Sequence, residues 1–167
     1  MATSRLHALV GAFVLVMALL TGCASPVPSE SSAILPHGAS PSAVRKAVVD
    51  TARRMIGVPY RNGGSIPEEG FDCSGLVVYS YRHAGMRGIP RTARDLERQA
   101  VPVSLDALLP GDLLFFRLGG TRTNHVAIYE GNRRFIHAPS RGKGVERVAF
   151  DHVYWGPRIS RAGRLLP

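Results

Sequence analysis

The sequence predicts an α+β domain in which N-terminal helices pack on one side of a small antiparallel β-sheet. Three observations carry that reading. Apolar residues recur at helical spacing over two early stretches and alternate like strands over later ones. Helices precede strands in the chain, which favours segregated layers over a parallel βαβ sheet. A length of 167 residues with 45% apolar content suits one globular domain and excludes a disordered or collagen-like chain.

The elements follow in order. Ser40 and Pro41 supply an N-cap and first helical residue, and Val44, Ala47, Val48, Thr51, Ala52, Met55 and Ile56 trace one helical face. Gly57 and Pro59 stop that helix. Gly63 to Phe71 reads as loop. Asp72 is a favoured N-cap, so a second helix begins at Cys73, buries Leu76, Val77, Tyr81 and Ala84, and stops at Gly85. Thr92 to Ala100 is a short polar helix or turn. Leu109-Pro110-Gly111-Asp112 turns into an apolar strand, Leu113 to Phe116. Asn124 to Glu130 alternates like a strand, Glu130-Gly131-Asn132 is a turn signal, and Arg133 to Ala138 returns. Gly144 to Phe150 and Tyr154 to Ser160 are expected as edge strands. There is no internal repeat.

Residues 1–22 form a separate unit. Arg5 and His7 precede an apolar run from Leu9 to Leu20. Its twelve residues suit a signal-peptide core, because spanning a bilayer takes about 20. The run ends in Leu20-Thr21-Gly22-Cys23, which resembles the bacterial lipobox. The expected organisation is a lipoprotein signal peptide over 1–22, a lipidated Cys23 with a Ser-, Pro- and Ala-rich tether over 23–41, and a domain over 42–167. A plain signal peptide cut nearby, with Cys23 left free, is the alternative. Acyl chains would hold the protein to a membrane in the cell envelope. Ala24 lacks the Asp that retains lipoproteins in the inner membrane, so the outer membrane is expected, with the domain facing the periplasm. Export excludes nucleic acid as a partner despite the net charge of +9. That charge comes from nineteen Arg and two Lys, and it suits anionic head groups and wall carboxylates.

With Cys23 lipidated, Cys73 is the lone thiol of the mature chain and has no intramolecular disulfide partner. The first turn of a helix lowers thiol pKa values, so Cys73 is either a nucleophile or a small core cysteine. His125 and His137 weigh on that choice. With a three-residue loop at 130–132, Tyr129 faces Arg133 and His125 faces His137; a two-residue loop puts the rings on opposite faces. A functional site therefore demands the three-residue loop or an equivalent bulge. Given that register, Cys73, His125 and His137 form a cysteine-peptidase arrangement of nucleophile, base and orienting residue. His37, His83 and His152 read as surface or structural histidines.

Gly57-Val58-Pro59-Tyr60, Gly63-Gly64, Phe71-Asp72-Cys73-Ser74-Gly75, Pro90-Arg91-Thr92, Leu109-Pro110-Gly111-Asp112-Leu113, His125-Val126-Ala127-Ile128-Tyr129 and Phe135-Ile136-His137-Ala138 together resemble the NlpC family of papain-like cell-wall cysteine peptidases. The resemblance runs from about residue 44 to 160. Within the family, the chain looks most like the small murein endopeptidase lipoproteins. This implies a papain-like NlpC fold and hydrolysis of an amide bond in peptidoglycan stem peptides. The bond is either the D-alanyl–diaminopimelate cross-link or D-γ-glutamyl–diaminopimelate. By resemblance, Cys73 is the nucleophile, His125 the base and His137 the orienting residue. Tyr60 lies beside the nucleophile and helps hold substrate or oxyanion. Asp72 and Ser74 approach the peptide's free amine in some members; here their local readings are N-cap and first-turn residue. Arg91 is either a substrate-carboxylate ligand or a surface arginine. No cofactor and no metal is implied.

The chain departs from the family pattern at Ala93-Arg94-Asp95-Leu96, where many relatives carry Gln or Ser. A monomer is expected, with control by an adaptor or a protease left open. Three rival readings stand beside this one. They are a zinc hydrolase using Cys73, His125 and His137 as ligands, a non-catalytic wall-binding or scaffold lipoprotein, and an amidase, transpeptidase or lipid acyl hydrolase.

Overall fold

The computed structural model describes residues 37–166. The expected leader, Cys23 and the tether up to residue 36 lie outside the described residues. Helix α1 runs Pro41–Arg54, with Ser40 accepting a hydrogen bond from the Ala43 N–H as N-cap. It buries Val44, Val48, Val49, Thr51 and Ala52, while Ile56, expected on the same face, lies beyond the helix end and is exposed. Helix α2 is Cys73–His83 and α3 is Ala93–Gln99, capped by Asp72 and Thr92.

The segment before Asp72, expected as loop, contains a two-stranded antiparallel ribbon of β1 (Ser65–Ile66) and β2 (Gly70–Phe71). Strand β3 (Val101–Val103) was not expected. It joins β4 (Leu113–Phe116), β5 (His125–Gly131), β6 (Arg134–His137), β7 (Glu146–Ala149) and β8 (Ile159–Arg164) in an antiparallel sheet ordered β3-β8-β4-β5-β6-β7. β7 lies at an edge as expected. The other expected edge strand is displaced: residues 156–158 form a short 3-10 turn, and β8 is an interior strand between β3 and β4. Ala162 and Gly163 pair with Val103 and Pro102 of β3 on one side and with Leu114 and Leu113 of β4 on the other.

Two apolar layers flank the sheet. Val126, Ile128, Ile136, Leu113 and Phe115 face the helices, against Val48, Leu76, Val77, Tyr81 and Leu96. Leu114, Phe116, Ala127, Phe135 and Ala162 face the other way, under Trp155. This is the predicted α+β arrangement with helices on one side.

The β5–β6 turn decides where the histidines point. Asn132 (φ 50°) and Arg133 (φ 53°) form its tip, and both are left-handed as a two-residue type I′ turn requires. Gly131 pairs with Arg134, but the register then shifts, so Tyr129 pairs with Phe135 and Ile128 with Ile136. The bulge at Glu130–Gly131 uses a glycine at φ 96°, a conformation that L side chains rarely adopt. The expected pairings of Tyr129 with Arg133 and His125 with His137 are therefore corrected. A two-residue turn plus a bulge replaces the three-residue loop, and the bulge brings His125 and His137 to one face as diagonal neighbours.

A buried carboxylate ties the helices to this sheet. Asp112, at the start of β4, accepts from Arg45 of α1 (3.0 Å), from Nε and Nη2 of Arg164 in β8 (both 2.8 Å), and from the Leu109 N–H (2.8 Å). The Tyr81 hydroxyl of α2 donates to the adjacent Gly111 carbonyl. Replacing Asp112 by Ala removes the carboxylate that Arg45 and Arg164 share. The variant is expected to lose about 3 to 5 kcal/mol of unfolding free energy, read by urea denaturation; an unchanged midpoint would show that the network does not hold the layers.

Candidate active site

Cys73 occupies the first turn of α2 because Asp72 caps that helix, its Oδ1 accepting from the Gly75 N–H at 2.6 Å and from the Ser74 hydroxyl at 3.0 Å. The helix start also presses on the preceding loop. A Cβ on Gly75 would lie 2.0 Å from the Gly64 carbonyl oxygen, so no larger residue fits two positions after the cysteine. The thiol is free and opens on a cleft of about 850 Å³ whose walls include Tyr60, Asp72, Ser74, Arg91 and Arg94.

The histidines lie beneath, both buried. Nε2 of His125 is 2.8 Å from Nδ1 of His137, and Nε2 of His137 is 3.3 Å from Oε1 of Glu146. Trp155 fixes both rings: it stacks on His125 (centroids 5.1 Å apart, 27° between planes) and meets His137 edge-on (4.4 Å, 88°). Phe116 packs edge-on against His125 from the sheet. The expected His125–His137 partnership is thus present. Cys73 and His125 share no hydrogen bond; the thiol instead lies near the N–H of Val126, the residue that follows His125. Catalytic contacts in an unliganded site commonly tighten only around substrate. Since Nε2 of His125 is taken, Nδ1 is the ring nitrogen left for the thiol.

The electrostatics differ from the expectation at the helix start. Burial raises the Cys73 thiol above its ordinary range; the N–H of Val126 opposes this, Asp72 adds to it, and the N–H groups of Ser74 and Cys73 itself recover only part. Burial pushes His125 down to about 4 and pushes His137 down as well, with His125 and Lys143 adding to the effect on His137. Burial therefore favours the neutral form of the thiol and of both imidazoles.

Arg91 is bidentate to Asp72, Nη1 to Oδ1 at 2.9 Å and Nη2 to Oδ2 at 2.8 Å, and Nη1 also donates to Ser74 Oγ at 2.9 Å. Burial alone would raise the Asp72 carboxyl, but Arg91 and the Gly75 N–H outweigh it and hold the pKa below the usual carboxylate range. The Gly63 N–H also donates to Oδ2. Asp72, Ser74 and Arg91 therefore form one closed cluster, and the N-cap reading of Asp72 holds. Tyr60 lines the same cleft; burial and the nearby Cys73 raise its phenol pKa, keeping a hydroxyl able to donate.

Among the other histidines, His83 bonds the Tyr79 carbonyl and His152 accepts from the Tyr154 N–H at 3.1 Å. Among the described residues, no three His, Cys, Asp or Glu side chains converge as ligands of one metal ion. Two site residues escaped the sequence reading, Glu146 and Trp155. Trp155 carried one signal, being the chain's single tryptophan. Glu146 carried none without the β6–β7 register.

Comparison with known proteins places this geometry. The NlpC/P60 family profile matches residues 57–164. Murein DD-endopeptidase MepH of Escherichia coli is 39% identical over 133 residues, 78% of this chain and 49% of that protein. Probable endopeptidase NlpC of Escherichia coli is 41% identical over 117 residues, 70% of this chain and 75% of that one. This chain thus spans about half the length of the first relative and three quarters of the second. The crystal structure of an NlpC/P60 family protein from Bacillus cereus superposes with a TM-score of 0.69 at 32% identity, covering 74% of this chain and 40% of that one.

Because burial outweighs the helix start, the alkylation rate of Cys73 by iodoacetamide should rise with pH through a midpoint above the free-thiol value of about 8.5. A midpoint well below neutrality would instead reveal a resting thiolate–imidazolium pair.

Proposed function

The chain belongs to the NlpC/P60 family, and from that premise we propose that it is a cysteine peptidase of the cell envelope that hydrolyses an amide bond of peptidoglycan stem peptides. The observation that carries this reading is the 2.8 Å bond between His125 and His137, which leaves Nδ1 of His125 free to act as base, with the Cys73 thiol near the N–H of Val126, the next residue along the strand. The relatives' names, murein DD-endopeptidase and probable endopeptidase, support the same chemistry.

In the reaction, the Cys73 sulfur adds to the scissile carbonyl carbon as its proton passes to Nδ1 of His125. The oxyanion is held by the Cys73 N–H at the start of α2 and by the Tyr60 hydroxyl. His125 then protonates the leaving amine, and water attacks the thioester with His125 again as base. His137 keeps the His125 ring in place. No cofactor takes part.

The D-alanyl–diaminopimelate cross-link is the better-supported bond. A site that read the free amine of an uncross-linked stem through Asp72 would need that carboxylate available, and Arg91 occupies both of its oxygens. The Leu9–Leu20 run and the Leu20-Thr21-Gly22-Cys23 sequence support anchoring through an acylated Cys23 in the outer membrane, facing the periplasm.

Wild-type protein incubated with isolated peptidoglycan and defined muropeptides should convert cross-linked dimers into monomers, read by chromatography and mass spectrometry. Cys73→Ala and His125→Ala should each lose at least about a thousandfold in kcat, and His137→Ala less. Cuts confined to uncross-linked stems would move the assignment to D-γ-glutamyl–diaminopimelate. Wild type and Cys73→Ala equally inert on every substrate would support a wall-binding role.

The anchor has its own test. Cys23→Ala should leave the membrane fraction with its hydrolytic activity unchanged, and its retention there would count against acylation.

A further inference from the structure

Both ring nitrogens of His137 are engaged inside the fold. Nδ1 meets His125, and Nε2 meets Glu146, which sits directly across the β6–β7 ladder as the Cα partner of His137. Directly paired residues rise from the same face of a sheet, so the contact follows from the strand register. An ionised carboxylate only accepts hydrogen bonds, so the hydrogen must sit on Nε2 of His137. A neutral imidazole carries one hydrogen. Nδ1 of His137 is therefore a bare acceptor, and Nε2 of His125 must be the donor to it. His125 is neutral in turn, so its Nδ1 is bare and able to take a proton.

We infer that Glu146 is a positioning residue that sets the direction of both imidazole hydrogen bonds and so fixes His125 in the tautomer that accepts the Cys73 proton. The inference rests on the reading of Cys73 as nucleophile and His125 as base. Without Glu146 the chain of bonds runs equally well backwards. His137 then donates from Nδ1, His125 accepts at Nε2, and the hydrogen of His125 sits on Nδ1, where it blocks proton uptake. The carboxylate has a second effect. When His125 gains a proton, Glu146 is the negative group at the far end of the same chain by its contact with His137, whereas burial, Lys143 and His152 disfavour a positive charge on His137. Glu146, Lys143 and His152 share one cavity of about 570 Å³ on the side of the sheet that carries Trp155.

The test uses full-length protein, with Glu146→Ala and Glu146→Gln, on cross-linked muropeptide dimers. Glu146→Ala is expected to lower kcat by about tenfold with KM unchanged. It should also move the acid limb of the kcat profile to lower pH, because losing the negative charge makes the imidazole pair harder to protonate. Glu146→Gln keeps an acceptor and should recover most of the lost kcat. Nitrogen-15 chemical shifts of the wild-type imidazoles should show hydrogen on Nε2 and none on Nδ1 in both His125 and His137, with His137 mixed in Glu146→Ala. The inference is overturned by a His137 that carries its hydrogen on Nδ1 in the wild type, or by a Glu146→Ala variant with unchanged kcat and acid limb. If wild type and Cys73→Ala are equally inert, the proposed function fails, and the nitrogen-15 readout still decides the role of Glu146.

Discussion

The hydrogen bond between His125 and His137 depends on a single extra residue in a hairpin. A two-residue turn at Asn132–Arg133 with uninterrupted pairing would place His137 opposite Ile128, whose side chain faces the helices. The bulge before Gly131 moves the register by one, so His137 lies opposite Ala127, on the face that His125 shares. Whether the two imidazoles meet is decided there. Glu130, the residue in the bulge, is buried and held from two directions: Arg53 of α1 donates to it at 2.6 Å, and Arg147 of β7 through two bonds of 2.6 and 2.7 Å. These ion pairs fasten the bulge to the helix layer. They also fasten it to β7, where Glu146 precedes Arg147 and faces His137.

The other half of the site depends on the Gly111–Asp112 turn. Arg45, Arg164 and Tyr81 converge on it from α1, β8 and α2, which fixes α2 over the sheet and Cys73 at the rim of the cleft. A carboxylate beside a nucleophilic sulfur is normally a handicap, because it opposes formation of the thiolate. Asp72 is the N-cap of α2, and the bidentate Arg91 compensates for its charge. The cluster thus secures helix geometry without leaving a bare negative charge one residue from the sulfur.

Much of this was legible in the sequence wherever local chemistry decided the outcome. Ser40-Pro41 and Asp72 mark helix starts through capping, and capping is a property of a few adjacent residues. The placement of Cys73 in a first helical turn followed from it. The histidine pair was legible only as a condition on the turn, since Arg133 in a left-handed conformation has no signature in its side chain. Pairings between distant strands left no local trace. The interior position of β8, the partner of Arg91 and the contact of Glu146 with His137 all require knowing which segments lie side by side. Composition alone labelled residues 63–71 a loop, because strands as short as Ser65–Ile66 and Gly70–Phe71 are too brief to show alternation.

The buried setting has a cost that the mechanism must absorb. Burial raises the Cys73 thiol and lowers the His125 base, so both shifts disfavour a separated thiolate–imidazolium state relative to the neutral pair. On the proposed reading, this favours proton transfer in step with attack over a thiolate formed beforehand. In the proposed mechanism, three features would lower the charged state as it forms: the N–H groups at the start of α2, the Tyr60 hydroxyl, and the Glu146 carboxylate acting through His137. Each is in place before substrate arrives. Preorganisation of that kind turns burial from a handicap into selectivity for the transition state. Burial also favours the protonated thiol, which is less open to oxidation.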